Sequence, residues 1–195
     1  MSIAYPEFRP EAALGFDHIK SVQMIAYFVR KAGGSAEKLK IIKLVYLAER
    51  LSFQRRGKPM NFDSYFSLPH GPVASSALNG MDHGLIDPVW DALDQAENKR
   101  DITIVGDISD DRLSRSDRSI LDNIWDEFGK KTASQLRNWT HKHCLEYVEV
   151  GPSASLPIDI SEILVQVGHP DPDNGARAIR TLQKEVGRLG RLRAS

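Results

Sequence analysis

The sequence predicts a mainly α protein: a compact helical domain around a buried central helix, with a small β-sheet or hairpin at its edge. Three observations carry this. Residues 36–56 place apolar side chains on nearly every face of a helix, the arrangement of a segment packed on all sides. Ser114 to Asp117 and Thr132 to Gln135 are capping-box-like starts, each ahead of an apolar run at helical spacing. Extended character is confined to two short stretches, 62–68 and 102–105.

Size and composition fit that class. The chain has 195 residues, 41% hydrophobic and 27% charged, enough to bury a core. The 26 basic and 26 acidic side chains cancel, so global charge gives no reason to expect nucleic acid or an anionic membrane as partner. A single cysteine, Cys144, excludes an intrachain disulfide and suits a reducing cytoplasm. Pro6 and Glu7 interrupt the run a signal peptide would need. No apolar stretch approaches the ~18 residues of a membrane span. The expectation is a cytoplasmic protein with no membrane attachment.

Along the chain, residues 1–15 read as an N-terminal arm. A first helix is expected from an Asp17 cap to Ala32, with Ile19, Val22, Ile25, Ala26 and Val29 as its buried stripe and Gly33–Gly34 as its stop. The central helix follows over Ala36 to Arg56, and its charges Lys40, Lys43, Glu49 and Arg50 must find an exposed strip or one another. Pro69, His70, Gly71 and Pro72 form a rigid corner, with Pro72 suited to the first turn of a short helix from Val73 to Asn79. The strand at Ile102 to Val105 is expected to pair with the Tyr65 stretch. Ile120, Leu121, Ile124, Trp125 and Phe128 then mark one helix, and Leu136, Trp139 and His143 the next. Residues 16–150 make up the helical domain. Residues 151–195 are a linker and a helical extension whose tail, Ala176 to Arg193, carries Arg177, Arg180, Lys184, Arg188, Arg191 and Arg193 against Glu185 alone.

Conventional enzyme signatures are absent: no phosphate loop, dinucleotide fingerprint, nucleophile elbow or zinc-protease helix. No catalytic residue, cofactor or metal is assigned. His141 and His143 lie about 200° apart on one helix and cannot share an ion. Glu49 with His70 or His141 could serve a hydrolase-type enzyme as general base, but no nucleophile accompanies it and a structural role is favoured. A DNA-binding autoregulator is a further alternative, for which the arginine-rich tail is the available element.

Several segments in order resemble a known family, the Panacea domain of SocA-like antitoxins. These are Tyr46, Glu49 and Arg50 in the central helix (many members carry Asp at the Glu49 position), the Pro69–His70–Gly71–Pro72 corner, Trp125 within its helix, and Thr140–His141 closing the next. The likeness spans Phe16 to Val148. One departure is visible: Glu146–Tyr147 stands where members often have Pro-Trp.

The resemblance implies an antitoxin of a bacterial or phage-associated toxin–antitoxin system, not an enzyme, that neutralises a cognate toxin encoded by the adjacent gene through direct contact. A homo-oligomer is compatible with it. Tyr46, Glu49, His70, Pro72 and His141 are expected to be chiefly architectural. Partner contact is expected from the tail: Arg177, Arg180, Lys184, Arg188 and Arg191.

Overall fold

The computed structural model describes residues 13–85, 87–98 and 100–194, with the backbone alone for 190–194. Residues 1–12 of the expected N-terminal arm lie outside the described residues. The described chain is mainly helical, with two small antiparallel sheets of three strands each.

Helix α1 (His18–Lys31) starts at the predicted cap, where the Asp17 carboxylate accepts from the Lys20 amide at 3.0 Å. Strand β1 (Ser35–Glu37) then precedes α2 (Lys38–Arg56), so the central helix begins two residues later than its apolar pattern suggested. The reason is pairing: Ser35 to Glu37 lie against Thr103 to Asp101, and the Lys38 amide donates to the Arg100 carbonyl at 2.8 Å. Gly57 ends α2 in the left-handed conformation (φ +64°), its amide returning to the Phe53 carbonyl.

Strands β2 (Tyr65–Leu68) and β3 (Gly71–Ala74) form a hairpin whose turn is Pro69–His70. Pro72 therefore lies in a strand, opposite Ser67, rather than in the first turn of a helix. Its missing N–H costs nothing there, because the β3 edge away from β2 pairs with no strand among the described residues. Helix α3 (Ser75–His83) starts after the strand and runs four residues past the expected end. Ala74 offers no side-chain cap; the Asp63 carboxylate supplies one from outside, accepting from the Ser76 and Ala77 amides at 2.7 and 3.0 Å.

A 3-10 turn (Pro88–Ala92) leads into β4 (Leu93–Gln95), which the sequence did not reveal, and then β5 (Asp101–Ile104). The expected pairing of this last strand with the Tyr65 stretch is not made. The sheets are β1-β5-β4 and β3-β2-β6, where β6 (Leu156–Ile158) comes from the end of the expected linker. Short loops favour the local hairpins β4–β5 and β2–β3, and β1 and β6 take the free edges.

Both capping boxes form. Ser114 and Asp117 open α4 (Arg115–Phe128), and Thr132 and Gln135 open α5 (Ala133–His143). Helices α6 (Ile160–Gln166) and α7 (Pro172–Ala194) complete the chain. The latter begins at Pro172, four residues before the expected Ala176, with the proline at the position where its lost N–H is harmless. The core surrounds α2, whose Ile41, Ile42, Leu44, Val45, Tyr46, Leu47, Ala48 and Phe53 are buried among α1, α4, α5, α6 and β3. At the other end of the chain, Leu14 and Gly15 pack on α7 at Gly187 and Gln183. Among the described residues no helix is long and apolar enough to cross a membrane.

Candidate functional site

Lys40, Lys43, Glu49 and Arg50 of α2 neither line an exposed strip nor pair with one another. Glu49, fully buried, accepts from the Met60 and Asn61 amides at 2.8 and 3.2 Å and from the Tyr65 hydroxyl at 3.2 Å. It fastens the loop after α2, and the start of the central strand β2 beyond it, to the helix. Burial pushes its carboxyl up to about 7, against the pull of the Met60 amide. Asp63, also buried, is raised by burial to about 6 despite its amide donors.

One turn earlier, Tyr46 donates from its hydroxyl to Glu146 Oε1 at 2.8 Å, and Arg50 Nε donates to the same oxygen at 2.8 Å. Lys43 is closed off from solvent and donates from Nζ to the Pro72 carbonyl at 2.7 Å. Burial takes its amine down to about 7. Lys40 reaches the Gly129 carbonyl at 2.6 Å and lies over the Trp125 ring, which stacks on Phe28.

The hairpin corner is tied to the end of α5. Gly71 has φ +93°, and a Cβ there would stand 2.9 Å from His141 Cδ2 and 3.0 Å from Thr140 Oγ1. Only glycine fits such a backbone against such a contact. The His141 ring packs against Tyr147, whose hydroxyl donates to the Leu68 carbonyl at 3.2 Å. Both imidazoles are held below their usual range, first by burial and then by the charges of Arg137 and Lys43.

The residues singled out in the sequence thus fall into adjoining groups around α2. Tyr46 and Arg50 meet at Glu146; Pro69, His70, Gly71 and Pro72 meet Lys43, Thr140 and His141. Glu49 belongs to a separate cluster with Met60, Asn61 and Tyr65, so the structure does not bring it to His70 or His141 as an acid–base pair. His143 stacks on Trp139, away from His141. Among the described residues no group of three or more His, Cys, Asp or Glu could hold a metal ion. Burial pushes the Cys144 thiol up to about 12, which leaves it an unreactive core group.

An open cavity of about 550 Å³ lies elsewhere, between α3 and β4, lined by Asp82, His83, Trp90 and Asp94 among others; none of the sequence-predicted site residues lines it. Of the tail residues, Arg177 bonds Asn174, Arg180 pairs with Asp159, and Arg188 pairs with Glu185 at 3.2 Å. Lys184 has no partner among the described residues, and the Arg191 side chain lies outside them. Leu182, Val186 and Leu189 of α7 are also exposed.

Sequence reasoning missed Lys43 as a buried donor, Arg137, Asp63 and Glu146. The last had a signal: the departure at Glu146–Tyr147 put a carboxylate where the likeness led one to expect proline. No local pattern marks Asp63, whose role depends on a helix start 13 residues later.

No curated protein and no solved structure matches the chain. The model of the antitoxin SocA-like, Panacea domain matches residues 41–146, just over half of the chain. The matched segment runs from the start of the buried part of α2 to Glu146, and so encloses the Tyr46–Arg50–Glu146 contact and the hairpin corner. This chain belongs to the SocA-like antitoxin, Panacea domain family.

Proposed function

We propose that this protein is an antitoxin that neutralises a cognate toxin, encoded by the adjacent gene, by binding it directly in the cytoplasm of a bacterium or of a phage host. Family membership over residues 41–146 is the observation that carries the reading. The motif residues Tyr46, Glu49, Arg50, Pro69, His70, Gly71, Pro72, Trp125, Thr140 and His141 are assigned to the architecture of a helical domain over 16–150. Specificity is assigned to the extension over 151–195.

What supports that division is the surface of α7. Leu182, Val186 and Leu189 recur along one side at helical spacing and remain exposed. Arg177, Arg180, Lys184 and Arg188 share the opposite face of the helix, and α7 lies outside the matched segment. An exposed apolar stripe suits an apolar groove on the toxin, and the cationic face behind it suits an acidic surface of the same partner. A stable complex of this kind buries ~1,200–2,000 Å² in total.

The test is co-expression in a host that the neighbouring gene's product poisons. The reading expects growth to be restored by this chain, and restored poorly by a K184E/R188E variant that folds normally. Growth arrest that persists with abundant soluble wild-type chain refutes neutralisation; full rescue by the charge-reversed variant refutes the role of α7.

A further inference from the structure

Three side-chain nitrogens near the hairpin corner are buried without any hydrogen-bond partner: His70 Nδ1, Arg137 Nε and His141 Nε2. Native proteins leave few such groups, and each is costly when no acceptor reaches it. These three are neighbours. Arg137 and His141 are one turn apart on α5 and share a helix face. The His141 ring packs on Gly71, the residue after His70. Lys43 stands behind them, its Nζ 2.7 Å from the Pro72 carbonyl, and the charges of Arg137 and Lys43 act on both imidazoles.

No carboxylate neutralises the group among the described residues. Arg137 forms no salt bridge. Glu146 gives Oε1 to Tyr46 and Arg50 while its buried Oε2 bonds none of these nitrogens, and Glu149 is exposed and acts on His141 through its field alone. The positive charge of Arg137 therefore stands beside the two imidazoles with no carboxylate of the described residues paired to it. A guanidinium beside imidazole N–H groups supplies the kind of donors that an oxyanion accepts.

We propose that this corner is an oxyanion-binding site: Arg137, His70 and His141, backed by Lys43, receive a small oxyanion, the chemistry shared by a phosphate group and a carboxylate. The site is distinct from α7, so it stands or falls independently of toxin binding through that helix.

The experiment is a titration of the full-length protein with inorganic phosphate, and separately with acetate, in a buffer free of other oxyanions. Histidine ring resonances are followed by NMR, with His143 as the internal control. Saturable shifts of the His70 and His141 rings with phosphate assign a phosphoryl-type ligand; saturation with acetate alone assigns a carboxylate. Either supports the site. R137Q is expected to weaken the effective anion at least tenfold, and K142Q, on the same helix, to leave it unchanged. The proposal is overturned if neither anion moves His70 and His141 more than His143, a result the wild-type protein delivers by itself, or if folded R137Q saturates as wild type does.

Discussion

Tyr46 and Glu146, 100 positions apart in the chain, meet in the core, where the tyrosine hydroxyl donates to the buried carboxylate at 2.8 Å. Arg50, one turn along α2, holds the same oxygen. The two donors draw the segment after α5 onto the central helix and compensate a carboxylate that has left water. Removing one leaves that buried oxygen short of a partner. Tyr46→Phe is expected to destabilise the fold by about 2 kcal/mol in urea titration. An unchanged midpoint would show that Arg50 alone satisfies Glu146.

Glu49 gives stability a pH dependence. An unfolded glutamate ionises near 4.5, whereas burial holds Glu49 up at about 7. Below pH 4.5 both states keep the proton. Between 4.5 and 7 the unfolded chain releases it and the folded chain does not, so this contribution is lost as pH rises through 7. Glu49→Gln abolishes that titration. The deficit of the variant relative to wild type is therefore expected to shrink between pH 4.5 and 7.5, followed by denaturant midpoints; a constant deficit contradicts the raised carboxyl.

Asp117 works in the opposite sense. It closes the capping box with Ser114 and pairs with Lys20 and Arg56, each at 2.8 Å, binding α1 and α2 to the start of α4. Burial alone would raise this carboxyl; hydrogen bonds from Lys20, Ser114 and Arg56 bring it down to about 2. Its stabilisation is complete above the unfolded value of 3.8 and lost as pH falls through 2. Asp117→Asn is expected to cost about 3 kcal/mol at neutral pH and to flatten the acid limb of a melting-temperature profile. An acid limb as steep as wild type would assign it to other groups.

Gly71 supplies a geometric test of the corner. Gly33 also has positive φ (+96°), yet a Cβ there meets nothing within 4 Å, so Gly33→Ala carries backbone strain alone, about 1–2 kcal/mol. Gly71→Ala adds contact with His141 and Thr140 and is expected to cost about 1–3 kcal/mol more. Because His141 supplies the nearest atom, His141→Ala should recover part of that excess in a double-mutant cycle. Additive losses would mean that the ring does not bear on the corner.

The helices were legible because their signals are local. Asp17, Ser114 and Thr132 each cap a helix within three residues of themselves. The all-round apolar pattern of α2 announced its burial. The strands were harder: β4 and β6 are three residues long, and their pairing depends on edges brought together by the rest of the fold. Lys43 shows the same limit at the site. A lysine among apolar neighbours reads as a charge seeking water, and only the carbonyl of Pro72, 29 positions away, makes its burial tolerable. The corner residues could be named from the sequence; their contact with the end of α5 could not, since it joins segments some 70 positions apart.

Direct binding is the central claim, and the most direct measurement of it uses purified components. This protein and the product of its neighbouring gene would be mixed and passed over a size-exclusion column with light scattering. The account predicts one complex of fixed stoichiometry, formed without nucleic acid or any third component. Two proteins eluting separately, while co-expression still restores growth, would contradict it and place neutralisation in some step other than direct contact.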